Sequence, residues 1–167
     1  MPLDAKTASG VAAKLGMARG PVEKVLRLVE FLEECERDKY LASRLVLKGG
    51  TALNVFYGDL ERLSIDADMD YIGAVEKERM EKERDRVVAR LEEVGTDLGF
   101  SPERALNSYA GVKIHLRYET TTGSDDLVKI DLNFLNRLPI LESTAARQAT
   151  VGLGEARTPV RCLNLNE

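Results

Sequence analysis

Residues 45–72 read LVLKGGTALNVFYGDLERLSIDADMDYI, and the rest of the chain is best read outward from them. Leu45-Val46-Leu47 is a short apolar run that stops at Gly49-Gly50, which predicts a buried strand entering a turn. Thr51 to Phe56 fits the start of a short helix. Residues 66–72 then alternate, with Asp66, Asp68 and Asp70 on one side and Ala67, Met69 and Tyr71 on the other. A strand with one acidic and one apolar face is expected there.

Carboxylates two apart on a strand stand about 6.5–7 Å apart along the backbone, and their side chains can converge to about 4 Å. At that distance like charges repel by about 4 kcal/mol at an effective dielectric near 20, so a cation between them is the natural remedy. Three readings of the row compete. It is a solvent-facing acidic strand, a calcium loop, or a two-metal site for phosphoryl chemistry. The calcium loop fails, because its sixth position is Tyr71 where glycine is needed and its twelfth is Lys77 where glutamate is needed. The two-metal site requires a third carboxylate on a neighbouring strand and a phosphate-binding turn.

Both are present in the chain. Val128, Ile130, Leu132 and Phe134 alternate with Lys129, Asp131 and Asn133, which puts Asp131 on the polar face of a second strand. Lys48-Gly49-Gly50-Thr51 joins a strand to a helix, where backbone N–H groups can face an anion unobstructed by side chains. The turn is not a GxxxxGK[ST] loop, and no GxGxxG occurs.

Further out, residues 4–18 are rich in alanine and lysine and read as helical, and apolar residues from Val22 to Leu32 recur at helical spacing, which predicts a helix to about Tyr40. Glu76–Leu98 is the clearest helix, with Met80, Val87, Val88, Leu91, Val94 and Leu98 as its buried stripe. A strand carrying Val112, Ile114, Leu116 and Tyr118 precedes the Asp131 strand, with Lys113, His115 and Arg117 on its polar face and a turn over 120–126 between the two. Beyond Pro139 only Val160–Leu165 reads as a strand.

At 167 residues, 44% hydrophobic and 31% charged, the composition is that of one globular domain. A net charge of −4 argues against a broad electrostatic footprint on nucleic acid but leaves room for a small basic pocket. A single histidine, His115, rules out a histidine cluster. Cys35 and Cys162 form no CxxC and suit a reducing cytosol as small buried hydrophobes. With no signal-like start and no apolar run of about 18 residues, a cytoplasmic protein that enters no membrane is expected.

Lys48-Gly49-Gly50-Thr51-Ala52-Leu53, followed by Arg62-Leu63-Ser64-Ile65-Asp66-Ala67-Asp68, resembles the KGGTAL…R[FL]SxDxD signature of AbiEii/AbiGii-type toxins. Lys129-Ile130-Asp131 is similar to the KxD motif of the same family, and the resemblance covers roughly residues 44–135. Ile65, at an often acidic position, and Ala67, at one usually held by a larger aliphatic residue, depart from the pattern.

The resemblance implies an α/β (α+β) fold of the polymerase-β-like nucleotidyltransferase superfamily, a mixed twisted sheet with helices mainly on one side and the acidic cluster at one edge. It implies a single domain: N-terminal helices over 1–43, a catalytic core over 44–135, and an extension over 136–167 lacking the family's C-terminal helices. The implied activity is transfer of a nucleotidyl group from a nucleoside triphosphate to RNA, notably a tRNA end, in a toxin–antitoxin or abortive-infection system with a cognate antitoxin. Asp66, Asp68 and Asp131 would be catalytic and bind Mg²⁺ or Mn²⁺. Lys48, Gly49, Gly50, Thr51, Arg62, Ser64 and Lys129 would bind the nucleotide, with Asp70 a spectator. The alternative expectation is a nucleotide-binding or protein-interaction module of the same fold that lacks turnover.

Overall fold

The computed structural model describes residues 3–58, 63–138, 144–150 and 158–163. Helix α1 (Ala5–Leu15) opens at Asp4, whose carboxylate accepts from the Thr7 N–H at 2.7 Å, and closes at Gly16 in the left-handed conformation. It packs on α2 (Arg19–Arg37) through a small cluster of Leu3, Ala8, Ala12, Val22 and Leu26. The apolar stripe of α2 buries Val25, Leu28, Phe31 and Leu32 completely or nearly so. The helix ends at Arg37, short of the expected Tyr40, because Asp38 breaks it and caps a new turn, α3 (Lys39–Ala42).

Asp38 accepts from the N–H groups of Tyr40 and Leu41, both at 2.9 Å, and from Arg90 Nε at 2.6 Å. Burial alone would raise this carboxyl, but the Leu41 N–H and the Arg90 guanidinium outweigh it and hold the group below the ordinary aspartate range. A depressed folded value means that the stabilisation is complete above the unfolded value near pH 4 and is lost as pH falls through the folded one. Asp38→Ala should therefore cost about 1–2 kcal/mol in urea unfolding at pH 7. The difference from the parent should shrink below pH 4.

Strand β1 (Leu45–Lys48) runs into a three-residue helix, α4 (Gly49–Thr51), which continues as a π-helical turn over Ala52–Phe56. Strand β2 (Asp66–Tyr71) follows, then α5 (Lys77–Asp97), and then β3 (Ser101–Asn107), β4 (Gly111–Glu119), β5 (Asp125–Asn133), β6 (Thr144–Arg147) and β7 (Val160–Leu163). The seven described strands form one mixed sheet in the order β3-β4-β5-β2-β1-β7-β6. The acidic strand β2 lies at its centre, antiparallel to β1 and parallel to β5. The expectation of an acidic cluster at a sheet edge is thus corrected: two-sided pairing buries every β2 residue from Met69 to Tyr71.

One face of the sheet is apolar. Leu45, Leu47, Ala67, Met69, Ile114, Leu116, Ile130 and Leu132 are at most 4% exposed there and share one core with α2 and α5. The far end of β2 is locked to α5 through the Tyr71 hydroxyl, which donates to Glu83 Oε2 at 2.6 Å, while Arg44 Nε donates to the same oxygen at 2.9 Å. Cys35 and Cys162 are free and buried, and burial pushes the Cys162 thiol up to about 12. The opposite face carries the polar residues of the same strands. Among the described residues no helix is long and apolar enough to cross a membrane.

Candidate active site

On the polar face the register is explicit. Asp68 stands opposite Asp131 on β5 and opposite Lys48 on β1, while Asp66 faces Lys129 and Asp70 faces Asn133. Adjacent strands lie about 4.8 Å apart, so Asp66, Asp68 and Asp131 share one patch of a single face. The patch is graded in exposure: Asp66 is open to solvent, Asp68 and Asp131 are half-buried, and Asp70 is buried. Burial raises the Asp68 carboxyl above the ordinary aspartate range, and the neighbouring Asp131 and Asp66 add to this against the pull of Lys48 and Lys113.

The glycine turn closes one side of the patch. Gly49 has φ +72°, and a Cβ built on it would lie 2.7 Å from Asp68 Oδ2, so only a residue without a side chain leaves room for the carboxylate there. Gly50 sits over Ser64, whose Oγ would lie 3.1 Å from an added Cβ. Both glycines are exposed.

Thr51 is fully buried, and its hydroxyl is hydrogen-bonded to Ser64 Oγ at 3.0 Å and to the carbonyl oxygen of Asp66, so its side chain faces the protein and only its backbone is left for the turn. Its position explains why: as the last residue of α4 it faces the incoming end of β2, not solvent. Arg62 lies outside the described residues. Asp70, expected as a spectator, is an anchor: it takes Lys48 Nζ at 2.7 Å and accepts from Asn133 Nδ2 at 2.8 Å.

Lys113, not named as a site residue from the sequence, pairs with Asp131 Oδ2 at 2.7 Å. The turn expected over 120–126 would have set Lys113 across from Asn133; the observed turn is two residues shorter, with Glu119 opposite Asp125, and this puts Lys113 across from Asp131. As the side chains stand, no group of three or more His, Cys, Asp or Glu among the described residues is disposed to hold a metal ion. The donor types nonetheless suit a hard divalent cation: Asp66, Asp68 and Asp131 share one face, with Asp66 open to solvent. The Lys113 pair is half exposed, and such pairs contribute only about 0–1 kcal/mol, so an incoming cation can replace the amine.

The family described as the nucleotidyl transferase AbiEii toxin of type IV toxin–antitoxin systems matches residues 30–167. The chain belongs to the AbiEii family.

MenT4, a nucleotidyltransferase toxin from Mycobacterium tuberculosis H37Rv, superposes with a TM-score of 0.66 at 18% identity, over 95% of this chain and 55% of that one. JHP933 from Helicobacter pylori gives a TM-score of 0.53 at 16% identity, over 98% of this chain and 54% of that one. At such identities the likeness is one of fold, and this chain spans about half the length of either relative. No curated protein matches the sequence. The AbiEii match takes in the C-terminal part of α2 and everything from α3 to β7, and so includes every residue of the carboxylate patch and the glycine turn.

Proposed function

We propose that this AbiEii chain carries the catalytic residues of a divalent-metal-dependent nucleotidyltransferase acting on RNA, with a tRNA end as the acceptor. The observation that supports this best is the pairing of Asp68 with Asp131 across β2 and β5, with Gly49 backed against Asp68. A polar sheet face with three acids beside a side-chain-free turn can place a triphosphate and an acceptor hydroxyl next to each other. In the family's biology the partner would be a cognate antitoxin and the compartment the cytoplasm.

Asp66, Asp68 and Asp131 would hold Mg²⁺ or Mn²⁺, which when bound neutralises charge on the phosphate oxygens. The protein's own groups do the rest. The Gly49–Gly50 backbone receives the terminal phosphates, and no side chain obstructs them. Lys129, exposed opposite Asp66, neutralises the triphosphate from the β5 side. Lys48 acts through its ion pair with Asp70, which fixes the entry to the turn, and Ser64 supports the turn from below. Asp131 takes the proton of the acceptor hydroxyl as its oxygen bonds to the α-phosphorus; the α–β phosphoanhydride bond breaks and pyrophosphate leaves. Lys113 holds Asp131 in place before substrate arrives.

The second reading, a nucleotide-binding module without turnover, draws on one observation: as the side chains stand, no three acids among the described residues are disposed to hold a metal ion. Radiolabel transfer from each of the four nucleoside triphosphates to total RNA, with Mg²⁺, separates the two. The enzyme labels an RNA band and releases pyrophosphate. A module binds nucleotide and does neither, and that result would remove the catalytic reading from this chain.

A further inference from the structure

Alongside β2 and β1, on the carboxylate face, lies a cleft of about 450 Å³. Val46, Ile72, Val75, Leu135, Leu138 and Leu163 line it, and Lys48 and Asp70 form its edge toward the acid patch. Among the described residues six large apolar side chains are well exposed, and three of them, Val75, Leu135 and Leu138, are in this cleft. Among the described residues their apolar surface lies open on this face, as it does in small-molecule sites. The wall is preformed: Arg137 bridges its two sides, Nε donating to the Val75 carbonyl at 2.9 Å and Nη1 to the Phe134 carbonyl at 3.0 Å.

We propose that this cleft is the nucleoside pocket, taking the base and sugar of the nucleoside triphosphate, a proposal that rests on the function proposed above. The direction follows from the turn. With terminal phosphates at Gly49 and Gly50, the rest of the nucleotide must extend away from the turn along the open face. Asp70 is two residues beyond Asp68 on β2, about 6.5–7 Å further on, and it stands at the edge of the cleft. The other direction, across β5 and β4, meets the basic side chains Lys113, His115, Lys129 and Arg117, and the concavity it reaches at Arg117 is lined by Gly99, Ser101, Tyr118, Glu119 and Asp125, with no aliphatic side chain; that path suits an anionic acceptor, not a base. A cleft of this volume falls in the range of small-molecule sites, and its lining sets six aliphatic side chains beside Lys48, Asp70, Asn136 and Arg137, apolar surface for the faces of a base and polar groups for its edge and the sugar. On this arrangement the nucleoside lies beyond Asp70, between β1, β7 and the segments that follow β2 and β5, and the acceptor lies over the Lys113 and Lys129 side of β4 and β5.

The test compares two probes in Mg²⁺ by titration calorimetry: inorganic tripolyphosphate, and the nucleoside triphosphate that binds the parent most tightly of the four. Two variants alter the cleft at exposed positions that the fold tolerates, Val75→Trp filling it and Leu135→Glu charging it. Both should weaken the nucleoside triphosphate at least tenfold and leave tripolyphosphate within twofold. Unchanged nucleoside triphosphate binding in both variants, or equal loss of both probes, overturns the pocket. So does a parent that binds tripolyphosphate as tightly as any nucleoside triphosphate, an outcome that leaves the phosphate site standing. A parent that binds neither probe instead removes the proposed function, and the pocket goes with it.

Discussion

Asp68→Asn is expected to abolish the thermal stabilisation that Mg²⁺ or Mn²⁺ gives the parent, and to lower nucleotidyl transfer by about 10²–10³-fold, the scale seen when one preorganised electrostatic partner of a transition state is removed. At a hundredfold excess over its dissociation constant a cation adds about 2.7 kcal/mol, which for a chain of this size shifts the melting temperature by roughly 5–11 °C. The substitution keeps the shape of the side chain and removes its charge. Asp68 already sits where burial and Asp131 oppose ionisation, so the metal-free variant should melt at or slightly above the parent. Differential scanning fluorimetry with and without metal reads both effects. An Asp68→Asn variant that responds to metal as the parent does would exclude Asp68 from the cation site.

Gly49→Ala should have the second largest effect. The position has φ +72°, which costs an alanine about 1–2 kcal/mol in the left-handed region, and its Cβ would meet Asp68 Oδ2 at 2.7 Å. Either the turn or the carboxylate must move, and both belong to the same site. Nucleotide affinity should fall more than tenfold, above about 1.4 kcal/mol. Gly50→Ala is the internal control: it has no positive φ, and its nearest neighbour is the Ser64 hydroxyl at 3.1 Å, the end of a small side chain. Equal losses at the two glycines, measured by titration in Mg²⁺, would mean that the contact between Gly49 and Asp68 does not set the affinity.

The contrast between the two glycines is a structural result, whereas much around them was readable from residue order. Alternation in 66–72, 112–118 and 128–134 assigns each side chain to a face, because a one-residue slip would turn Val128, Ile130 and Leu132 to water. That is enough to put Asp131 on a polar face, and the core stripe of α5 was equally plain. Strand β3 was not legible: Ser101–Asn107 lies at the sheet edge, exposed on nearly every residue, so burial imposes no period on it. Four-residue β6 is as featureless for the same reason. The placement of β2 between β5 and β1 comes from a long-range parallel pairing that no local pattern encodes. Nor could residue order show that Thr51 turns inward, since a threonine after two glycines suits a phosphate and a buried carbonyl equally well. The cleft is a tertiary feature, built from residues 46, 72, 75, 135, 138 and 163.

The Thr51 hydroxyl has a mechanical consequence. Asp66 and Ala67 pair only with β5, whereas β1 joins β2 from Asp68 onward, so the first acid of the row is laced to the sheet on one side. Its other tether is Thr51, the last residue of the helix that begins at Gly49. Turn and carboxylate are therefore linked like two ends of a short lever. A load that displaces the glycines pulls the Asp66 backbone with it, and the two halves of the site cannot be set independently. Thr51→Val, which keeps the shape and removes the link, would let them drift apart.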